Sequence, residues 1–174
     1  MSNLAQHRGL RLIDYSSEVP GCQCSNLFDS DPSKIWLTEA GLPQWLSLSL
    51  QDLDNDGRDL VIKTIGWHCW HPYSTNPKTV SLHVSTDGVR FRLWDTFDGP
   101  QTRGTHLFTC APLAVSIYPF MSLEITETHG GESTYMNRLF LYRDEVAGSS
   151  PSRATEMPML APLGTPALPP PVIP

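Results

Sequence analysis

Short segments in which apolar and polar residues alternate recur through the first 145 residues of the chain. In the segment 44–50, for example, Leu46, Leu48 and Leu50 alternate with Trp45 and two serines. Because the side chains of an extended chain point to opposite sides in turn, this period of two indicates β-strands with one buried face. The same pattern recurs in 10–14, 60–70, 79–85, 90–97, 105–110, 120–128 and 136–144.

The spacing of these segments predicts the fold class. Turn residues separate them, and no segment carries the apolar stripe of a three-turn amphipathic helix. About eight strands in 145 residues predict an all-β fold, an antiparallel jelly-roll β-sandwich. The loops of such a fold gather at its two ends, so we expect the functional residues there.

The composition changes after residue 145. Eight of the 29 residues from 146 to 174 are proline, and only Arg153 and Glu156 are charged. Such a segment neither continues as a helix nor pairs as a central strand. We predict a folded domain over 1–145 and a disordered proline-rich tail with polyproline II character over 146–174. The tail is either passive or a ligand for an aromatic-lined groove.

The charge balance limits the kinds of partner. Twelve lysines and arginines stand against eighteen aspartates and glutamates, which gives a net charge of −6. Phosphate backbones and anionic membrane surfaces both require clustered positive charge, so we predict no nucleic-acid partner. No apolar run approaches the roughly 18 residues of a spanning helix, so we also predict no membrane insertion.

The start of the chain and its cysteines bear on the compartment. The N-terminal residues lack the apolar stretch of a secretory signal, which favours an intracellular location, cytoplasmic or cytoskeletal. The four cysteines are Cys22, Cys24, Cys69 and Cys110, and no asparagine begins an N-x-S/T sequon. Four cysteines could form two disulfides, but these observations favour free thiols.

Three segments occur in an informative order. Residues 25–36 read Ser-Asn-Leu-Phe-Asp-Ser-Asp-Pro-Ser-Lys-Ile-Trp, 84–91 read Val-Ser-Thr-Asp-Gly-Val-Arg-Phe, and 123–139 end the series with a hairpin. In this order they resemble the galactose-binding-like superfamily of discoidin and coagulation factor 5/8 type C domains. The last segment also resembles the final hairpin of the DOC domain of the anaphase-promoting complex and the corresponding hairpin of SUN domains. The resemblance implies a jelly-roll sandwich over residues 10–145.

The loop in the first of these segments also has a direct physical interpretation. Trp36 follows the loop and is predicted to plug the core. Asp29 and Asp31 can accept backbone N–H bonds, as in Asx turns, and so hold the loop closed. Some members of the superfamily bind a structural Ca²⁺ near this loop, although here Ser33 stands where threonine is usual. Calcium near Asp29 and Asp31 stays an open alternative.

A second acidic loop resembles the start of an EF-hand. In 52–57, the carboxylates of Asp52, Asp54 and Asp56 precede a glycine, as calcium ligands do. Lys63, however, occupies the position of the bidentate glutamate, and strands flank the loop. An acidic hairpin loop without calcium therefore accounts better for this segment.

The segment 67–71, Trp-His-Cys-Trp-His, contains three candidate zinc ligands. In a strand, His68 and Cys69 point to opposite sides, so they do not converge on one ion. We predict that Trp67 and Cys69 lie in the core and that His68 and Trp70 lie outside it. Neither this segment nor the acidic loops lead us to predict a metal or another cofactor.

An exposed aromatic cluster therefore begins at Trp70, and such clusters tend to mark binding sites. The loop 128–134 contains two adjacent glycines, and we expect it to share a rim of the sandwich with the loop 70–77. The predicted partner-binding residues are Trp70, His71, Tyr73, Asn76, His129, Glu132 and Tyr135.

The chain carries no nucleophile elbow, P-loop, zinc-protease helix or dinucleotide fingerprint, so we predict no enzyme. The resemblance favours an intracellular protein-binding module in a ciliary, centrosomal or other cytoskeletal assembly, with a protein or multisubunit partner. One alternative is a DOC-like subunit that recruits substrates to a ubiquitin ligase. The other is a carbohydrate-binding lectin, for which Trp70 would supply the aromatic platform.

Overall fold

The computed structural model describes residues 1–53, 59–144 and 146–153. Two short 3-10 helices, Leu4–Gln6 and Cys24–Phe28, are the helical part of these residues, and neither could cross a membrane. The strands are β1 (Arg11–Tyr15), β2 (Trp36–Leu37), β3 (Gln44–Ser49), β4 (Val61–Cys69), β5 (Pro77–Ser85), β6 (Arg92–Asp98), β7 (Gly104–Ala114), β8 (Phe120–Thr128), β9 (Tyr135–Met136), β10 (Arg138–Tyr142) and β11 (Ser150–Pro151).

The larger strands form two sheets. One has five strands in the order β1-β3-β8-β5-β6, and the other has four in the order β10-β4-β7-β11. Strands in these sheets pair antiparallel, except β11, which runs parallel to β7. The short strands β2 and β9 form a separate antiparallel ribbon. This arrangement confirms the predicted all-β jelly-roll sandwich.

The core lies between the two sheets and uses the apolar side of each alternating strand. Leu46 and Leu48 of β3 are fully buried, as their alternation with polar residues predicts. Trp67 of β4 packs against Phe108 with ring centroids 4.8 Å apart, and Phe108 meets Phe97 at 5.5 Å. The opposite side of each strand is left on the outside of the sandwich, where concave surfaces can form.

The predicted segments correspond to the eight longer strands. The two-residue strands β2, β9 and β11 are not predicted, because a pair of residues shows no period. The expected single turn near residues 26–30 is present as the 3-10 helix Cys24–Phe28.

The beginning of the predicted tail is attached to the sandwich. Ser150 and Pro151 pair with Phe108 and Thr109, and the N–H of Arg153 donates to the carbonyl of Thr96 at 2.9 Å. A proline fits there because β11 lies at a sheet edge. Residues 154–174 lie outside the described part of the chain. The domain boundary at 145 and the disordered tail therefore stay predictions.

The loop before Trp36 is closed in the predicted way. Asp29 accepts the N–H of Asp31, and Asp31 accepts that of Ser33, both at 2.9 Å. The side chain of Trp36 is fully buried, and its indole N–H donates to the carbonyl of Ser17 at 3.0 Å. The prediction of Trp36 as a core residue is confirmed.

All four cysteines are free thiols, as the sequence favours. Cys24, Cys69 and Cys110 are buried. Burial raises the pKa of Cys69 and Cys110 to about 12 and raises that of Cys24 further. These thiols stay protonated near neutral pH and contribute to the core as apolar groups.

Candidate functional site

The two loops predicted to share a rim do lie side by side. The N–H of Gly131 donates to the carbonyl of Ser74, and the N–H of Tyr135 donates to that of Thr75, each at 3.0 Å. The backbone hydrogen bonds therefore join the loop after β4 to the loop after β8. The sequence prediction of a common rim is confirmed.

Buried polar side chains support this rim from below. Asn137 accepts a hydrogen bond from the N–H of Trp70 at 3.1 Å and a second from the hydroxyl of Tyr135. Its amide donates to the carbonyl of Pro32 at 3.3 Å. The side chain of Asn76 donates to the carbonyl of His71 at 2.8 Å and closes the loop after β4.

The predicted site residues fall into three groups by exposure. His71, Tyr73 and Glu132 are exposed, whereas Trp70 and His129 are half-buried. Asn76 and Tyr135 are buried, with 0% and 5% of their surface exposed, so these two do not belong to the predicted contact surface. Their polar groups instead make hydrogen bonds within the rim. No sequence pattern distinguishes such a supporting residue from one that contacts a ligand.

A concave surface next to this rim contains Trp70. It has a volume of 370 Å³ and lies over one end of the four-stranded sheet. We call it the Trp70 pocket, and its lining residues are Pro32, His68, Trp70, Arg103, Thr105, Asn137, Arg138 and Phe140.

Strand register explains why residues so distant in sequence meet in the Trp70 pocket. Arg138 of β10 is paired with His68 of β4, which is paired in turn with Thr105 of β7. Two residues further along β10, Phe140 is paired with Gly66. Gly66 has no side chain, and the space that a Cβ would fill there is occupied by the His106 carbonyl and the Leu107 side chain.

Trp70 is held by three kinds of contact. Its indole N–H donates to the carbonyl of Pro32 at 2.7 Å. Its ring meets His68 edge to face at 5.5 Å, and the guanidinium of Arg103 lies 5.2 Å from the ring centroid. Trp70 is therefore more buried than the sequence predicts, and its position is defined by neighbours from two other loops.

The Trp70 pocket has a positive electrostatic character. Arg103 and Arg138 line it, and among the described residues neither forms an ion pair with a carboxylate. Burial lowers the pKa of His68, and the positive charges of neighbouring groups, including Arg103 and Arg138, lower it further. The imidazole is therefore mainly neutral at pH 7, where it can accept or donate a hydrogen bond.

Most of this pocket is not predicted from the sequence. His68 is half-buried outside the core cluster, as predicted, whereas Trp70, which is predicted to be exposed, is half-buried and packs against the core. Arg103, Arg138 and Phe140 have no predicted role. The segment 136–144 contains a usable signal, because Arg138 and Phe140 alternate with buried leucines.

A second concave surface lies on the outer face of the five-stranded sheet. We call it the Trp45 groove; it has a volume of 410 Å³ and is lined by Ile13, Asp14, Trp45, Ser47, His83, Gly88, Val89, Phe91, Ser122 and Glu124. The hydroxyls of Ser47 and Ser122 are bonded to each other at 3.1 Å. His83 Nε2 and Glu124 Oε2 lie 3.8 Å apart in the groove.

In the described ranges 1–53, 59–144 and 146–153, no three His, Cys, Asp or Glu side chains are grouped as metal ligands. Asp29 is engaged by Lys34 at 2.5 Å, which competes with any cation at that loop. Of the EF-hand-like segment, Asp52 pairs with Arg11 at 2.7 Å, and residues 54–58 lie outside the described part of the chain.

The fold has counterparts among solved structures. No family model matches the sequence, and a search of curated proteins finds no match. Among solved structures, the chain is similar to CpGH89CBM32-5 from Clostridium perfringens, in complex with GalNAc-β-1,3-galactose. The TM-score is 0.64 at 20% identity, and the match covers 81% of this chain and 99% of that one.

Two further structures give the same result. The family 32 carbohydrate-binding module of C. perfringens NanJ, in complex with galactose, has a TM-score of 0.63 at 16% identity over 80% of this chain and 97% of that one. A pectin-binding carbohydrate-binding module has a TM-score of 0.59 at 17% identity over 82% and 93%. The chain thus has the galactose-binding-like fold, as its sequence resemblance implied.

These comparisons correct the predicted function. The similar structures are carbohydrate-binding modules, which contradicts the predicted protein-binding subunit of a ciliary, centrosomal or cytoskeletal assembly. The resemblance to DOC and SUN domains, and with it the ubiquitin-ligase alternative, receives no support from them. The prediction failed because the superfamily motifs maintain the sandwich and say little about what its loops bind.

Proposed function

We propose that this chain is a non-catalytic carbohydrate-binding module that holds a saccharide in the Trp70 pocket. One observation carries the proposal: an indole ring lies in a 370 Å³ cavity whose other walls present guanidinium, imidazole and hydroxyl groups. A pyranose has an apolar C–H face and a polar hydroxyl edge. An aromatic wall with a few directed polar groups can hold both, as small-molecule sites commonly do.

The similar structures support this choice over other small ligands. Their titles name GalNAc-β-1,3-galactose, galactose and pectin as what those proteins hold or bind. Binding of this kind requires no nucleophile and no metal, in keeping with the absence of a catalytic motif from the sequence. The intracellular location stays a prediction, separate from this proposal.

Calorimetric titration of the full chain with a panel of methyl glycosides and short oligosaccharides tests the proposal. We expect at least one to bind with one-to-one stoichiometry. Trp70→Ala should weaken this binding by about tenfold or more, because the aromatic wall is lost. Trp45→Ala is the matched control, since it removes a tryptophan from the other concave surface, and should bind as the unmodified chain does.

Trp70→Ala also removes the hydrogen bond to Pro32, so its folding must be measured by thermal unfolding. If that variant does not fold, Phe140→Ala serves instead, because Phe140 is half-buried on the outer face of the sheet. The proposal fails if no saccharide of the panel binds, or if binding survives in folded variants of both residues.

A further inference from the structure

We infer that the Trp70 pocket selects saccharides that carry a carboxylate group, a specificity that rests on the proposed carbohydrate function. Two arginines, Arg103 and Arg138, line the pocket, and no acidic residue is among the described residues that line it. This is unusual in a chain whose net charge is −6. A cluster of one sign against the overall charge favours a ligand of the opposite sign.

Arg103 supplies the first positive group. It is exposed on the loop between β6 and β7, and its guanidinium lies 5.2 Å from the centroid of the Trp70 ring. This cation–π contact holds the guanidinium over the Trp70 ring, within the aromatic part of the pocket. A carboxylate on a sugar bound in the pocket would then lie within reach of the guanidinium.

Arg138 supplies the second group and the more specific evidence. Its guanidinium lies 5.5 Å from the Phe140 ring, and its Nε is buried without a hydrogen-bond partner in the described part of the chain. A buried donor without an acceptor is costly, so a shift of the Arg138 side chain that brought its Nε to a ligand oxygen would relieve that cost. A carboxylate suits a guanidinium best, because two oxygens can accept from its planar fork.

Among the described residues, the acidic loop that contains Pro32 forms no ion pair with these arginines. Pro32, which lines the pocket, lies in the loop that contains Asp29 and Asp31. Asp29 is paired with Lys34, and Asp31 accepts hydrogen bonds from Ser33. The charged groups that perturb the pKa of His68 are all positive, which agrees with this geometry.

Matched glycosides separate the carboxylate from the rest of the sugar. Methyl galacturonide and methyl galactoside differ only at C6, as do methyl glucuronide and methyl glucoside. We expect the acidic member of at least one pair to bind the full chain about tenfold or more tightly in low salt. A methyl sialoside in the same titration distinguishes a uronic acid from a sialic acid as the source of the carboxylate.

Variants then assign the preference to the two arginines. Arg103→Gln and Arg138→Gln should each weaken binding of the acidic glycoside about tenfold more than they weaken binding of its neutral partner. Arg92→Gln is the matched control, because Arg92 also lies over a tryptophan, 5.3 Å from the Trp94 ring, but outside the pocket. It should leave the ratio of acidic to neutral affinity unchanged.

The outcomes separate this inference from the proposed function. Equal affinity for acidic and neutral glycosides overturns the carboxylate preference and leaves a neutral sugar site. Failure of every glycoside to bind overturns both. If a hexaglutamate peptide binds as tightly as the uronides, and Trp70→Ala weakens neither, then charge alone attracts anions to this surface and the selectivity for a saccharide is wrong.

Discussion

The Trp70 pocket and the Trp45 groove are lined by the same types of aromatic residue but differ in charge. Each contains a tryptophan, a phenylalanine and a histidine, in volumes of 370 and 410 Å³. The pocket adds Arg103 and Arg138, whereas the groove adds Asp14 and Glu124. Aromatic lining alone therefore does not distinguish one surface as a binding site, and the sign of the added charges is what separates them.

The two regions also differ in how their buried polar groups are compensated. In the groove, Ser122 donates to the carbonyl of Leu46 at 3.0 Å. His83 Nε2 makes no hydrogen bond within the described residues, but the Glu124 carboxylate lies 3.8 Å from it. In the pocket, the buried Nε of Arg138 has neither an acceptor nor a carboxylate beside it among the described residues. The unpartnered donor of the pocket therefore lacks a carboxylate neighbour among the described lining residues, whereas that of the groove has Glu124 beside it.

Glycine substitution should show the largest difference between the two regions. A Cβ on Gly66, which is paired with Phe140 of the pocket, would lie 2.2 Å from the His106 carbonyl oxygen, so Gly66→Ala must separate β4 from β7. We expect a loss of about 3 kcal/mol or more of unfolding free energy in urea. Gly88→Ala, beside the groove, should cost about 1–2 kcal/mol because φ is +75° there. Equal losses would show that the pairing of β4 with β7 accommodates an added methyl group as easily as the turn between β5 and β6 does.

A buried hydroxyl under each surface gives the second comparison. Tyr135→Phe removes the bond to Asn137, which also accepts the N–H of Trp70, and Ser122→Ala removes the bond to Leu46. Each should cost about 1 kcal/mol in urea unfolding. Only Tyr135→Phe should also weaken saccharide binding, by about threefold, because Asn137 positions Trp70. Equal effects on binding would mean that the hydroxyl network does not support the pocket.

Salt should weaken the binding of an acidic glycoside but not that of a neutral one, and this effect should be smaller than the preceding ones. Raising NaCl from about 0.05 M to about 0.5 M should weaken methyl galacturonide binding about threefold, because the two arginines are partly exposed and screened. Any neutral glycoside that binds should be unaffected over the same range. A salt effect of the same size on both sugars would argue against a direct contact between the arginines and the carboxylate.

Most of the fold could be predicted from the sequence, because alternation is a local property that each longer strand displays by itself. The same alternation predicts that Trp70 points away from the buried Cys69. The sequence predicts no role for Arg103 or Arg138, because these residues come near Trp70 only through the pairing of β10, β4 and β7 and through the loop before β7. Register between distant strands leaves little trace in a single sequence.

Burial of Asn76 and Tyr135 illustrates a second limit. Asn76 lies in one of the loops predicted to bind and Tyr135 directly follows the other, and both have side chains that suit a contact surface. In the structure their polar groups bond to other parts of the rim instead. Loop position predicts that a residue is near a site, but only packing decides whether it faces the ligand or supports the loop.

Acid should lower the stability of the turn between β5 and β6, which borders the groove and contains Asp87. We expect no such effect in the pocket, and this is the smallest effect that we predict. Backbone N–H groups of Arg90 and Val89 and the hydroxyl of Ser85 bind Asp87 and lower its pKa from 3.8 to about 2. A lowered pKa means that the ionised form stabilises the fold. This contribution is complete above pH 3.8 and is lost as the pH falls from there towards 2.

Urea unfolding of the unmodified chain and of Asp87→Asn between about pH 2 and pH 5 measures this contribution. The asparagine side chain cannot ionise but keeps an acceptor oxygen, so the variant should be slightly less stable at the upper end of the range, and the difference should shrink towards the lower end. A difference that stays constant, or grows on acidification, would contradict the assignment. Arg103→Gln is the control, because that pocket variant should follow the pH dependence of the unmodified chain throughout.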